Sequence, residues 1–300
     1  MLYTDSQFLL GTHIDITIVS SDPKTPEKIA IIFDYFRGFE AEFSRFLLDS
    51  SLSQLNQRKT LQVSSRFIDL IQLSLGYHKS TDGFFNPLVQ VAHLGYSHSF
   101  ESGIFTEKNT PIDTDMSQIQ VVGNTVSIGG DQELDFGGIG KGYAVDKAGE
   151  ILRLFGYEDF FINAGGDIVA HGNNSSGVPW VIGIEDPFTG AIDSSFALLN
   201  QAVATSGRYK RNWKIDGKAH HHIVDGHTGE NMDEIMSVTL IADECIDADV
   251  LTKKIFHLDP NEGIAAIEAH SLEGIIIAKD GKKYITSGII SRYHFSEQNA

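Results

Sequence analysis

Ile14, Ile16 and Ile18 alternate with Asp15 and Thr17, the period-two pattern of a strand buried on one face. The period then changes to three and four. Ile29, Ile32, Phe33, Phe36, Phe39 and Phe43 predict a helix that runs to about Phe43, its Phe stripe facing the core. Thr25-Pro26 supplies its start, cap then first helical position. A second helix fits Ser65–His78, with Phe67, Ile68, Ile71 and Leu75 on one face, and Ile119–Ile128 reads as a hairpin turning at Gly123-Asn124. A later helix carries Ala144, Val145, Ala148, Ile151, Leu152 and Phe155 inward and stops at Gly156. Strands are expected at Phe160–Asn163, Ile168–Ala170, Val181–Ile184, Ala197–Leu199 and Ser237–Ala242. Then come a helix carrying Ile246, Val250 and Ile255, a helical stretch at Ala265–Ala269, and strands near Gly274–Ala278 and Tyr284–Thr286. Several strand pairs are joined too tightly for helical crossovers, which predicts an α+β fold rather than a doubly wound parallel sheet.

Composition narrows the partners. Three hundred residues suit one large domain or two intimately packed subdomains, and 41% hydrophobic residues with 19 Phe suffice for a sizeable core. A net charge of −17, from 23 basic and 40 acidic residues, disfavours nucleic acid and anionic membranes. The lone Cys245 excludes an internal disulfide and a Cys-based zinc site. No segment approaches the ~18 apolar residues of a membrane span. The opening MLYTDSQFLLGTHIDITIVS shows no basic leader, apolar run or lipobox, so a soluble, cytoplasmic protein is expected.

Four runs carry candidate chemistry. GGIGKG, Gly137–Gly142, follows an apolar-polar run and opens a helix, where glycines allow close backbone approach and free N–H groups face an anion. It is no Walker loop, since Gly142 stands where Ser or Thr is required. Nor is it a dinucleotide fingerprint, since Tyr143 replaces the third Gly. Asn163–Asp167 forms a second glycine turn, and Ala204–Tyr209 a third candidate run. His220–Gly229 holds four His and one Asp. In an extended strand His220 and His222 would share a face, with His221 opposite. Two readings stay open there, a metal site without a recognised zinc spacing and a single functional His among solvated ones.

Together these runs resemble the ApbE-type FAD:protein FMN transferases, in order and over nearly the whole chain. The resemblance rests on LDFGGIGKGYAVD (Leu134–Asp146), NAGGDI (Asn163–Ile168), IGIEDP (Ile182–Pro187), AVATSG (Ala202–Gly207) and HHIVDGHTG (His221–Gly229). SVTLIA (Ser237–Ala242), DADVL (Asp247–Leu251), GTHIDI (Gly11–Ile16), DSSLSQLN (Asp49–Asn56) and TDGFFNPLV (Thr81–Val89) extend it. It implies one ApbE-like domain over residues 1–300, with mixed or antiparallel sheets and packed helices in two intimately associated subdomains. The implied reaction cleaves FAD at its pyrophosphate and transfers FMN to a Thr or Ser hydroxyl of a target flavoprotein, releasing AMP with the help of Mg²⁺. By the same resemblance His222 is the catalytic base, and Leu10, Phe46, Phe84, Phe85 and Asn86 contact the flavin nucleotide. Gly137, Gly138, Lys141, Tyr143, Gly165, Gly166, Asp167, Thr205, Ser206 and Ile223 complete the FAD set. Gly140, Asp249 and Thr252 form the metal set.

The chain departs from that pattern in ways that make the implied site more positive. The family's D-A-L-A-T helix places Asp and Thr four residues apart; here Asp249 is followed at that spacing by Lys253, whose ammonium cannot ligate a metal. Arg208 replaces a usual Asp, Gly226 a usual Pro and Asn86 a usual Asp. Either Thr252 moves in, or Lys253 itself neutralises the phosphates, or Mg²⁺ binds more weakly. A transferase, a non-catalytic FAD-binding or flavin-carrying protein, and an FAD pyrophosphatase releasing FMN and AMP are the three readings this leaves.

Overall fold

A computed structural model describes residues 1–106 and 113–297. The predicted half-buried strand is β2 (Thr12–Val19), which pairs with β1 (Leu2–Leu9); Ile14, Ile16 and Ile18 are fully buried. Helix α1 (Thr25–Phe43) buries the expected Phe stripe. Its start lies one residue earlier than expected. Thr25 is already helical, and its hydroxyl donates to the Asp22 carbonyl at 2.7 Å instead of capping. Next come α2 (Ser51–Arg58), β3 (Thr60–Gln62), α3 (Ser65–Ser80), β4 (Gln120–Val122) and β5 (Thr125–Ser127), the last two forming the predicted hairpin. Helix α4 (Gly140–Leu154) ends before Gly156, as predicted. Phe155 does not turn inward, however: it lies past the last turn, partly exposed beneath the Lys28 ammonium.

The second half supplies β6 (Phe160–Ala164), β7 (Asp167–His171), β8 (Trp180–Glu185), β9 (Ile192–Leu198), β10 (Gln201–Gly207), β11 (Asn212–Ile215) and β12 (Lys218–His221). It closes with β13 (Ile235–Ala242), α5 (Cys245–Ile255), α6 (Pro260–Ala269), β14 (Glu273–Ala278), β15 (Lys283–Ile285), α7 (Ser287–Arg292) and β16 (Ser296–Glu297). One eight-stranded sheet orders β1-β2-β6-β7-β10-β13-β14-β15, every neighbouring pair antiparallel. No helix among the described residues is long and apolar enough to cross a membrane.

Both faces of the sheet's second half are covered. Side chains alternate along a strand, and here the alternation sorts them between two cores. Ala204, Leu240 and Ile276 pack with α5 and α6, while Val203, Ile241, Ile275 and Ile277 pack with β8, β9 and α7. A third core joins α1 to α4 with β2 and β6. The helices α4 and α5 therefore lie on the sheet as neighbours, and they touch very closely. A Cβ on Gly142 would meet the Ile246 Cα at 2.8 Å and the Asp249 Cβ at 2.9 Å.

At that crossing each helix caps the other. A helix start leaves N–H groups without intrahelical acceptors. Asp146 of α4 accepts the Cys245 and Ile246 N–H groups that open α5, both at 2.8 Å, while Asp249 of α5 accepts the Gly142 N–H in the first turn of α4 at 3.1 Å. Asp146→Ala is expected to lower stability by about 1–2 kcal/mol, the usual cost of a lost cap. Asp146→Asn keeps one of the two acceptor oxygens and should recover part of it. Chemical denaturation of the two variants measures the difference, and equal losses would refute the capping role.

Candidate active site

The tight α4–α5 crossing places the glycine turn beside the end of β10, and a cavity of about 1090 Å³ opens there. This is at or above the usual ~300–1,000 Å³ of small-molecule pockets, room for a dinucleotide-sized ligand. Gly137, Gly138, Gly140 and Lys141 form one wall, and Gly165-Gly166 a second. That second pair is the two-residue turn of the β6–β7 hairpin, with φ +66° and +101°, a conformation glycine adopts without steric cost. Another hairpin turn brings Leu10 to the cavity. Leu10 has φ +55°, costly for a residue with a Cβ, and its N–H is held by the Glu40 carboxylate at 2.9 Å.

Two ammonium–carboxylate pairs stand at this wall. Lys141 Nζ binds Asp167 Oδ2, and Lys253 Nζ binds Asp249 Oδ1. Both lysines line the cavity; both aspartates are buried behind them. Burial, and then the like charge of Asp249, pushes the Asp167 carboxyl up to about 6, against the pull of Lys141 and Lys253. Burial would also raise Asp249, but Lys253, Lys141 and the Gly142 N–H outweigh it and hold that carboxyl below its ordinary value. Lys141 stays cationic, because Asp167 and Asp249 outweigh the burial that favours its neutral form.

The three adjacent histidines divide. Strand β12 stops at His221, so strict strand alternation does not extend to His222. His220 is buried and stacks on Trp213, with ring centroids 6.2 Å apart. His221 is buried too, donating from Nε2 to the Met232 carbonyl at 3.1 Å and accepting the Ile223 N–H at Nδ1, and burial lowers its pKa to about 4. Only His222 lines the cavity. Its Nδ1 donates to the Arg211 carbonyl at 3.3 Å. That contact fixes the proton on Nδ1 and leaves the Nε2 lone pair for the cavity. Burial, then the Arg211 guanidinium, holds the ring well below the ordinary imidazole value, so His222 is neutral at neutral pH.

Aromatic side chains close the far end. The Arg45 guanidinium lies 4.6 Å from the ring centroids of both Phe46 and Tyr96, and Tyr96 adjoins Trp213 at 5.4 Å. Phe84 lines the cavity with its ring near His257, and Phe85 packs against Gly138. Such flat apolar surfaces suit heteroaromatic rings.

The comparisons with known proteins fall on this geometry. A model of the ApbE family matches residues 10–276. The chain belongs to the ApbE family. Among curated ApbE relatives, an FAD:protein FMN transferase of Klebsiella pneumoniae is 29% identical, over 93% of this chain and 90% of that protein. One of Vibrio cholerae is 28% identical over 82% of this chain and 78% of its own length. The crystal structure of the ApbE protein of Thermotoga maritima superposes with a TM-score of 0.87 at 26% identity, covering 97% of this chain and 99% of that one. The flavin transferase ApbE of Vibrio cholerae gives 0.81 at 25% identity, over the same shares.

Most positions singled out by the ApbE resemblance do meet at the cavity. Leu10, Phe46, Phe84, Phe85, Asn86, Gly137, Gly138, Gly140, Lys141, Gly165, Gly166, Thr205, Ser206, His222 and Ile223 all line it. Asp167 and Asp249 stand behind Lys141 and Lys253. Thr252 is fully buried, its hydroxyl donating to the Asp249 carbonyl and meeting Ser206 Oγ, both at 2.6 Å. Tyr143 turns away. It lines a separate hollow with Asp69, Tyr77 and Lys147, and packs on Phe39.

Two departures from the ApbE pattern answer each other. Gly226 donates its N–H to the Phe84 carbonyl at 3.1 Å and accepts from Asn86 Nδ2 at 2.9 Å. A Cβ at Gly226 would collide with the Phe84 carbonyl, at 2.6 Å, so a proline there would lose a donor and clash. Arg208 is spent outside the cavity, paired with Asp233 at 2.5 Å. The cavity also contains Arg45, Tyr96 and Arg211, which no sequence motif flagged.

Proposed function

We infer that this chain is an FAD:protein FMN transferase, which cleaves FAD at the pyrophosphate and attaches FMN by a phosphoester bond to a Thr or Ser of a target flavoprotein. The observation that carries the reading is His222, neutral and with Nε2 available, in a cavity walled by the Lys141 and Lys253 ammoniums. The ApbE relatives that bear this activity by name support it. One eight-stranded sheet spanning both halves of the chain supports a single transferase domain.

The chemistry follows from the groups at hand. His222 Nε2 takes the proton of the acceptor hydroxyl as its oxygen attacks the FMN-side phosphorus. The bond from that phosphorus to the bridging oxygen breaks, and AMP leaves with the electron pair. Negative charge grows on the phosphoryl and leaving oxygens, where Lys141, Lys253 and the Arg211 guanidinium stabilise it. The aromatic end offers planes for the ring systems of FAD.

The donor set does not fit Mg²⁺ as it stands. A hard cation needs several free oxygens, and the Asp249 carboxylate is engaged at both ends, by Lys253 and by the Gly142 N–H. The described residues contain no group of three or more His, Cys, Asp or Glu placed to hold a metal. No step above is routed through one.

Incubating the protein with FAD and a flavoprotein target should add one FMN to the target, read by mass spectrometry, with AMP released in equal amount. AMP and free FMN without target modification would mark a pyrophosphatase. Bound FAD with neither product would mark a carrier. Either outcome sinks the transferase reading.

A further inference from the structure

Lys253 lies in a cage of oxygens. Besides Asp249 Oδ1, its Nζ meets the Asp249 carbonyl at 2.8 Å, Ser206 Oγ at 3.1 Å and Thr252 Oγ1 at 3.3 Å. These oxygens come from two elements, α5 and the end of β10. One is a carboxylate, one a carbonyl and two are hydroxyls, a set of hard ligands typical of a bound inorganic cation. An ammonium fills it with its three N–H groups directed by charge. The side chain is 14% exposed, yet it reaches the cavity and runs past Gly138, where an added Cβ would lie 3.7 Å from Lys253 Cε.

We propose that the Lys253 ammonium is the resident cation of the site, occupying the oxygen cage in place of a divalent metal so that the FAD pyrophosphate is held without one. The proposal rests on FAD being the ligand. A divalent ion placed on the same oxygens would sit within a few ångströms of a fixed positive charge, against a repulsion that the buried setting screens poorly. Occupation by Lys253 and by a metal are therefore mutually exclusive.

A single ammonium brings one positive charge where a divalent ion brings two. The neighbouring Arg211 makes good the difference. It lines the same cavity, donates to the Gly11 carbonyl at 2.7 Å, and forms no ion pair among the described residues. Its guanidinium is thus a second fixed cation whose charge no carboxylate among the described residues cancels.

The test is FAD affinity, read by flavin fluorescence in excess EDTA and in millimolar MgCl₂. For the wild type the two values should agree within about threefold. Lys253→Thr opens the cage, so this variant should lose at least about tenfold in EDTA and regain it with MgCl₂. MgCl₂ alone should raise its melting temperature and leave that of the wild type unchanged. Wild-type affinity that falls tenfold or more in EDTA overturns the proposal, with no variant required. So does a folded Lys253→Thr protein indifferent to Mg²⁺. FMN transfer measured in parallel separates the two readings. Transfer that strictly needs Mg²⁺ sinks the resident-cation proposal alone; EDTA-insensitive FAD binding without transfer sinks the transferase reading alone.

Discussion

His222→Ala should lower FMN transfer by about two to four orders of magnitude, the usual contribution of a positioned base, and leave FAD bound. The imidazole donates through Nδ1 to a backbone carbonyl, so its loss removes the lone pair at Nε2 without unseating a buried charge. The pH dependence provides an independent check. Because burial and Arg211 hold the ring well below its ordinary value, His222 is already in the base form at neutral pH. The wild-type rate should therefore stay level as pH falls from about 7.5 to about 6, a range over which an ordinary histidine would become mostly protonated. A His222→Ala protein with unchanged turnover would remove the base assignment, and a wild-type profile that bends near 6.5 would show instead that burial and Arg211 do not lower the ring's pKa.

Lys141→Met should cost about 3–5 kcal/mol at alkaline pH, because it strands the buried Asp167 carboxylate without its partner. The loss should depend on pH in a definite direction. Asp167 already has its pKa raised to about 6, by burial and by Asp249; removing the ammonium raises it further. A carboxyl whose pKa is higher folded than unfolded favours the folded state at low pH, and that contribution fades as pH rises through the folded value. In acid Asp167 can take up a proton and sit neutral. The melting-temperature deficit of Lys141→Met should thus be small near pH 5 and reach about 10 °C near pH 8. Equal deficits at both pH values would show that Asp167 is not the group left charged. FAD affinity should fall as well, since Lys141 lines the cavity.

What could be read from the chain depended on how each segment is buried. Ile14, Ile16 and Ile18 announce a strand because intervening Asp15 and Thr17 are only partly covered. Strand β14 is buried at every position, so no alternation marks its two faces. Strand β10 is built from small residues around Val203 and reads as a motif instead of a strand. The β11–β12 hairpin did carry a local signal. Asp216-Gly217 turns it with φ +47° and +81°, the conformation expected of a Asp-Gly turn. Helix α2 buries only Leu52 and Leu55, too few positions to show a period.

The site was legible at the glycine turns, where the backbone demands a particular residue, while His222 was singled out among its neighbours only by the family resemblance. The site was opaque where function comes from convergence. Arg45 follows α1, Tyr96 lies in a loop and Arg211 precedes β11, and no spacing relates them. Glycines carried a mixed message. Gly137, Gly138 and Gly140 face the cavity, while Gly142 is there because α5 leaves no room for a side chain. Lys253 was conspicuous from its spacing to Asp249, but its significance required the oxygens around it.

The reciprocal capping of α4 and α5 has a dynamic consequence. Neither helix can fray at its start without breaking the hydrogen bonds its first N–H groups make to the other, Gly142 to Asp249 in one direction and Cys245 and Ile246 to Asp146 in the other. The two first turns should open as one unit, with a single protection factor in hydrogen exchange shared by the amides of Gly142, Cys245 and Ile246. Because Lys141 and Lys253 ride on these helices, the spacing between the two charges is inherited from that joint. The anion meets a ruler already cut to length, and does not have to draw its cations together.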